Sequence, residues 1–527
     1  MPSTPAPDGL PDPSPSSPRF PRPLLAIILA AGAVRVGTLW VGKPAFSGWF
    51  NHVYYYFVQV RGLLTDGVLP YPDMPLLFYL DAAVATVLHL AGMPLETAVI
   101  AATRLVMCLI AAAMPIPLYA LVRELNGDRP LRGTQWGLVA LSGLLPFTVI
   151  HIPEMFQKNM AGLLLMAGLL RFSLRLVKHG GPANAIRCGI LALLIVLTHF
   201  GTTAALVIYW TALLAATAAV RGSLRHLAMA TAVTAGGALL AVGVILAADP
   251  QRFARISLYL GNALEMLPAD ATSLSATVLI SVAIIAVLAG LAMLLRALAA
   301  RMRRRFPDGE AIFLLTNLLF AAGLVLPVFD QQLTARLMLF LSLPLFVVMV
   351  VLETGWRRRT RIAVVSTAAV LLTAMAIGET ISAAMHNAGH REIHAELMRL
   401  RKRDLFRPGD LIIARTGVEH VCNWVFETRA GVITTVHRDD FGGDSRIFIL
   451  NPKDGLRNIE AGTISSEWDA YRAMRSNIPA PRGLSPLFDG DRLTLFLLHA
   501  PPAEWRFGED GFWTGIDPPP SVDSGGH

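Results

Sequence analysis

Runs of about twenty apolar residues, each long enough for a bilayer core of roughly 30 Å, recur along this chain with arginine gathered first on one side and then on the other. Segments on one side of these runs carry twenty basic residues, including Arg301, Arg303, Arg304 and Arg305, and Arg357, Arg358, Arg359 and Arg361. The intervening loops carry six: Lys43, Arg61, Lys158, Arg252, Arg255 and Arg336. Short loops keep lysine and arginine on the cytoplasmic side, so the alternation marks a polytopic α-helical membrane protein and orients it. Composition agrees: 54% of 527 residues are hydrophobic, 16% are charged, and mean hydropathy is +0.53. A net charge of +8 does not point to nucleic acid, because the arginines sit at span ends and leave no basic stripe. Anionic lipid headgroups account for them.

Hydropathy and charge predict about eleven spans, with the amino terminus inside and the carboxy terminus outside. They run over Pro23–Val41, Thr97–Leu121, Gln135–His151, Met160–Leu176, Ala185–His199, Thr202–Val220, Leu227–Ala247, Ser273–Leu298, Ala311–Pro327, Leu337–Val351 and Ile362–Ile381. Residues 1–22 are Pro/Ser-rich and read as a disordered cytoplasmic tail before an uncleaved first span. The transmembrane domain extends over 23–383, with a long first outer loop at 42–96. Inside that loop, Trp49–Leu64 is amphipathic and aromatic. Pro75–Leu90 (PLLFYLDAAVATVLHL) is apolar but short, and if it crossed, every later basic cluster would change sides. Parity therefore places it as a helix lying at the outer interface or dipping into it. Shorter outer loops follow at Ile152–Asn159 and at Phe200–Gly201.

Beyond the last span, residues 384–517 read as a small extracytoplasmic α/β domain, and 518–527 as a disordered tail. Glu392–Arg403 is a charged helix, and Ser466–Arg475 is helical. Strands are expected at Leu411–Ala414, Val432–Val436, Arg446–Leu450 and Leu493–Leu498. Cys108, Cys188 and Cys422 have no metal-ligand spacing and imply no disulfide framework. The proportion of arginine, alanine and proline fits a GC-rich bacterial genome, hence a bacterial inner (cytoplasmic) membrane.

No nucleotide-binding loop, dinucleotide fingerprint, zinc-protease motif or hydrolase elbow is present. What remains is polar side chains at the outer span ends, where burial is expensive and points to function or to a buried partner. Arg35 and Arg104 occupy the outer halves of the first two spans; they would hold an anionic phosphate, or snorkel, or pair with Asp81 or Glu96. In the loop His151–Asn159 (HIPEMFQKN), Glu154 is a candidate base or metal ligand and Lys158 a phosphate contact. His199 closes the fifth span, either as a ligand or as an interfacial residue. Arg336, at an outer end against the topology rule, is a phosphate candidate or the ion-pair partner of Asp330. The first loop adds Asn51, His52 and Asp73, the last lying among prolines where a turn residue is also expected. A divalent metal would find ligands in Glu154, Asp73 and His199, though no spacing demands one.

Three stretches carry a family resemblance. Gly67–Leu80 (GVLPYPDMPLLFYL) resembles the proline-rich motif that opens a juxtamembrane helix in the GT-C class of membrane glycosyltransferases. Ala101–Arg104 (AATR) through Leu118–Arg123 (LYALVR) is similar to their next span, and Arg336–Pro344 (RLMLFLSLP) to a late one. The outward carboxy-terminal domain fits as well. The resemblance implies transfer of a sugar from a polyprenyl-phosphate donor to a glycan, lipid or protein acceptor on the outer face. It also implies an acidic residue soon after the first span, acting as base or metal ligand. Here Phe46–His52 (FSGWFNH) contains no Asp or Glu, which leaves His52, Asp73 or Glu154 for that role. Arg35, Arg104, Lys158 and Arg336 would bind the donor phosphate. Two other classes stay open: a non-catalytic membrane protein that binds lipid-linked glycan or assists envelope assembly, and a secondary transporter. The last is disfavoured because no inverted repeat is visible.

Overall fold

The computed structural model describes residues 21–42, 51–71, 73–127, 129–148, 157–221, 225–248, 298–325, 337, 339–355, 357–407, 409–442, 446–453, 459, 462–463, 467–479 and 484–517. The described chain is mostly helical. Its helices are α1 (Arg22–Gly42), α2 (Asn51–Thr65), α3 (Leu76–Leu90), α4 (Leu95–Ala113), α5 (Pro115–Leu125), α6 (Gly133–Thr148), α7 (Gln157–His179), α8 (Pro182–Thr198), α9 (Phe200–Val220), α10 (Arg225–Ala248), α11 (Asp308–Leu324), α12 (Ser342–Gly355) and α13 (Arg358–Arg401), followed by α14 (Val418–Phe426) and α15 (Glu467–Arg475) within a carboxy-terminal sheet region. Among the described residues, Leu95–Leu125, Gln157–His179 and Gly201–Val220 are long and apolar enough to cross a membrane; Leu76–Leu90, Pro182–Thr198 and Leu339–Glu353 are apolar but shorter.

Helix starts follow local chemistry. Pro115 and Pro182 open α5 and α8, where a missing N–H is harmless and φ is already helical. Glu96 lies in the first turn of α4, and Lys178 and His179 lie in the last turn of α7, each complementing the helix dipole. Side-chain stripes then pack the bundle: α7 lies on α8 and α11, α9 on α11, α8 on α10, and α1 and α3 on α4. Gly162 of α7 is a point of close approach, since a Cβ there would stand 2.2 Å from Thr202 Cγ2 of α9.

Two buried acids organise part of the basic end of the bundle. Glu124 of α5 accepts from Arg175 Nε at 2.6 Å and lies 3.3 Å from His179 Nε2, tying α5 to α7. Glu353 of α12, almost wholly buried, takes Arg361 at 3.1 Å and Arg132 at 3.5 Å. These arginines are therefore structural ties between helices.

The carboxy-terminal region carries a five-stranded sheet of order β2-β1-β3-β6-β5, built from β1 (Leu411–Ala414), β2 (Arg429–Gly431), β3 (Ile447–Pro452), β5 (Phe488–Asp489) and β6 (Leu493–Leu498). Strands β2, β1 and β3 run parallel, and β6 runs antiparallel to both β3 and β5. A three-stranded sheet joins β4 (Gly462–Thr463), β8 (Trp513–Ile516) and β7 (Trp505–Phe507). Both faces of β1 are covered. Leu411 and Ile413 pack with Ile433, Ile449, Trp505 and Trp513, while Ile412 and Ala414 join the core that contains α14. That double burial explains why its sequence is continuously apolar rather than alternating.

Several expectations need correction. The expected span Thr97–Leu121 lies within the apolar stretch Leu95–Leu125, whose helix is interrupted once, with α4 ending at Ala113 and α5 starting at Pro115. Met114 between them keeps a helical backbone. Lys158, expected in a loop, lies in the first turn of α7 because the helix begins at Gln157. Phe200–Gly201 is not a free turn; the two residues start α9, with extended His199 as its N-cap. Val432–Val436 is not a strand but holds a 3-10 turn at Ile433–Thr435, where Thr435 Oγ1 donates to the Val432 carbonyl at 2.8 Å. The charged stretch after Ile381 continues α13 without a break. At 1.5 Å per residue, α13 spans about 66 Å, more than twice a bilayer core.

Candidate functional site

The site is built from α2 outward. Tyr55 and Gln59 are one turn apart on the same helix face, and Gln59 Nε2 donates to the Tyr55 hydroxyl at 3.0 Å. Gln59 also grips the backbone of Tyr71 from both sides: Oε1 accepts from its N–H at 2.8 Å, and Nε2 donates to its carbonyl at 2.7 Å. With Tyr71 pinned, Asp73 falls two residues later against α2. Its Oδ1 accepts from Met74 N–H at 2.7 Å. Its Oδ2 accepts from both the Tyr55 hydroxyl and the Lys158 ammonium.

Lys158 reaches this carboxylate from the start of α7. Its side chain is 7% exposed and that of Asp73 12%, so this is a buried ion pair rather than a surface one. The ammonium also lies 5.4 Å from the ring centroids of both Tyr55 and Phe78, within range of the cation–π attraction. Beside it, His199 caps α9, with Nδ1 accepting from Gly201 N–H at 2.9 Å; a neutral ring then carries its proton on Nε2. Asn159 lies alongside, its Oδ1 3.4 Å from where a Gly201 Cβ would stand.

Burial alone would push the Asp73 carboxyl up. The Lys158 charge and the electrostatic pull of the His199 ring, with the hydrogen bonds from Lys158 and Tyr55, outweigh it and hold the group below its ordinary value of 3.8. Asp73 is thus a carboxylate at neutral pH, held among a cation, a phenol and a histidine. Burial and the neighbouring Asp73 charge raise the Tyr55 hydroxyl well above its ordinary range, so Tyr55 stays a donor. This arrangement can bind an anion at Lys158 and receive a proton at Asp73.

Of the residues singled out from sequence, Asp73, Lys158 and His199 come together. Arg35 on α1 is fully buried. Arg104 on α4 is half-buried and bears on Tyr54, whose hydroxyl burial raises and the Arg104 charge pulls partly back. The expected pairing partners lie elsewhere: Glu96 takes Arg401 at 3.4 Å, and neither oxygen of buried Asp81 has a hydrogen-bond partner among the described residues. Asn51 and His52 form the first turn of α2. Glu154, Asp330 and Arg336 lie outside the described residues. Among the described residues no three His, Cys, Asp or Glu side chains are grouped to hold a metal.

Sequence reading missed Tyr55, Gln59 and His420. The His420 ring lies 5.2 Å from Tyr55 and 5.1 Å from Tyr71. The i, i+4 spacing of Tyr55 and Gln59 on an amphipathic helix was a usable signal. Nothing local connects His420 with residues more than three hundred positions earlier.

No protein-family model matches this sequence, and no curated protein is similar to it. Solved structures are. ArnT from Cupriavidus metallidurans bound to undecaprenyl phosphate aligns with a TM-score of 0.53 and 11% identity, over 90% of this chain and 97% of that one. The same protein in its apo state gives 0.52 and 12%, over 90% and 98%. At such identities the likeness is one of fold: this chain has an ArnT-like fold, mostly helical, with a small sheet region at its carboxy-terminal end.

Proposed function

We propose that this protein is an integral-membrane glycosyltransferase that moves a sugar from a polyprenyl-phosphate donor to an acceptor on the outer face of the membrane. The observation that carries the reading is the buried Lys158–Asp73 pair beside α2 and α3, in a fold one of whose solved members holds undecaprenyl phosphate. In this reading the chain crosses the bacterial inner membrane about eleven times, amino terminus inside. The end carrying α2, α3 and the sheet region (residues 384–517) faces out, and α3 lies along the interface.

The chemistry divides between the two partners. The donor phosphate takes the Lys158 ammonium, aided by Arg35, Arg104 and Arg336, and its negative charge replaces that of Asp73 there. Released, the Asp73 carboxylate accepts the proton of the acceptor hydroxyl. That oxygen attacks the anomeric carbon as the bond from this carbon to the phosphate oxygen breaks. The polyprenyl phosphate leaves with its charge held at Lys158. His52 and Glu154 are the other candidate bases, and Asn51, His199 and Asp330 would line the cavity.

One observation favours a second reading, binding of a lipid-linked glycan without transfer: Asp73 is already engaged by Lys158 and Tyr55. The test uses purified protein in nanodiscs with undecaprenyl phosphate, followed by native mass spectrometry, and then a radiolabelled polyprenyl-phosphate sugar with membrane extracts as acceptor. The proposal expects retention of the lipid that Lys158→Ala weakens at least tenfold, and label transfer that Asp73→Asn abolishes. Retention without transfer supports the binding protein. No retention in the wild type overturns both readings.

A further inference from the structure

The carboxy-terminal region does more than sit beside the ion pair. Gly417, at φ 94°, turns the chain out of β1 into α14, so Glu419 and His420 fall in the first helical turn, and His420 faces Tyr55 of α2. The His420 imidazole packs against the rings of Tyr55 and Tyr71, themselves 5.8 Å apart. Both tyrosines belong to the machinery around Asp73: Tyr55 donates to its carboxylate, and Tyr71 is the residue that Gln59 grips. The imidazole Nε2 lies 3.4 Å from Glu419 Oε1.

Three further ties hold α14 and the neighbouring β2 against this wall. Arg61 of α2 donates to the Asn423 carbonyl at 2.8 Å and the Trp424 carbonyl at 3.0 Å. Phe57 packs on Trp424 at 5.5 Å. The Tyr71 hydroxyl reaches the Ala430 carbonyl of β2 at 3.3 Å. Along α2, residues 55 and 59 face Asp73 while 57 and 61 face α14, so one helix connects the sheet region to the carboxylate.

We infer that His420 is a positioning residue of the Asp73–Lys158 site, its ring fixing Tyr55 so that the phenol stays on Asp73 and covers the Lys158 ammonium. The carboxy-terminal region thereby completes the site rather than only presenting an acceptor. The inference deepens the proposed reading of Asp73 and Lys158 as working residues, but its geometry does not depend on sugar transfer.

The test reads Lys158 directly. Full-length protein in detergent is treated briefly with acetic anhydride, and acetylation of Lys158 is measured by peptide mass spectrometry against exposed Lys402. Losing one aromatic contact is expected to raise Lys158 labelling about fivefold in His420→Ala. His420→Phe, which keeps the ring, should return it close to wild type. His420→Leu keeps volume without a ring and stands in if the alanine variant fails to fold. Unchanged Lys158 labelling in folded His420→Ala or His420→Leu would overturn the inference, as would His420→Phe labelling like the alanine variant. A wild type inactive toward every polyprenyl donor sinks the transferase reading and leaves this measurement intact.

Discussion

The guanidinium of Arg61 lies over the Trp424 ring, 4.7 Å from its centroid, while donating to the carbonyl of the same residue at 3.0 Å. One arginine thus caps the end of α14 and stacks on its side chain. Charge-assisted hydrogen bonds are worth about 1.5–3 kcal/mol each when a partner is lost from a buried setting, and cation–π stacking adds about 1 kcal/mol. Two such bonds and one stack come to about 4 kcal/mol at the low end, the end that suits a half-buried guanidinium, so Arg61→Ala should loosen α14 from α2 by roughly that amount. Hydrogen–deuterium exchange over residues 418–426 would rise, with the bundle helices α7 and α8 unaffected. Arg61→Lys should recover less than half of the protection, because an ammonium cannot fork to the two carbonyls. Equal protection in all three proteins would show that the cap contributes nothing.

The Lys158–Asp73 pair predicts strong non-additivity. Removing one member of a buried pair leaves an uncompensated charge and costs about 3–5 kcal/mol, whereas replacing both costs far less. Asp73→Asn and Lys158→Met should each lower the thermal midpoint, and the double variant should lie above at least one of them. Thermal unfolding of the three variants in one detergent settles this, and additive losses would mean the pair is not coupled. The sign with pH follows from the carboxyl being held below 3.8. Its contribution is present above that value and is lost as pH falls through the lower folded-state value.

How far the sequence speaks depends on the range of each interaction. Apolar runs with one-sided arginine announce a membrane bundle, and the runs Leu411–Ala414 and Leu493–Leu498 announce buried strands, because those signals are local. Val432–Val436 misled because β-branched residues favour strands, whereas here the Thr435 hydroxyl bonds the Val432 carbonyl and a turn wins. On turn statistics alone, Asp73 read more readily as a turn residue between prolines. Its buried partner is Lys158, 85 positions away, and no periodicity encodes that pairing. For Gln59 only the i, i+4 spacing from Tyr55 was legible; its bonds to the backbone of Tyr71 carry no sequence mark.

Gly162 offers a test of how α7 is held. With Thr202 Cγ2 only 2.2 Å from a notional Cβ, even alanine forces α7 and α9 apart at the turn that carries Lys158 and His199. Overpacking of this kind costs about 1–3 kcal/mol. Gly162→Val should lower the thermal midpoint and weaken retention of undecaprenyl phosphate. Gly162→Val combined with Thr202→Ala, which removes the clashing methyl group, should recover much of both. Failure of the second substitution to rescue would place the damage elsewhere.

Glu419 gives the last prediction, and its sign is opposite to that of Asp73. The side chain is buried, Oε2 has no hydrogen-bond partner among the described residues, and burial pushes the carboxyl from its ordinary 4.5 to about 8 despite nearby backbone N–H groups. The folded state therefore keeps a proton that the unfolded chain releases. Its contribution is fully present below about 4.5 and is lost as pH rises through about 8. At about 1.4 kcal/mol per pH unit, the swing is on the order of 3–5 kcal/mol. Unfolding of the carboxy-terminal region, followed by tryptophan fluorescence at Trp424, Trp505 and Trp513, should thus shift to lower temperature between pH 5 and 8 in the wild type. Glu419→Gln keeps the shape and cannot ionise, so its midpoint should stay nearly flat across that window and exceed the wild type at pH 8. A variant that follows the wild-type slope would mean that another group carries the pH dependence and that Glu419 reaches solvent in the folded state.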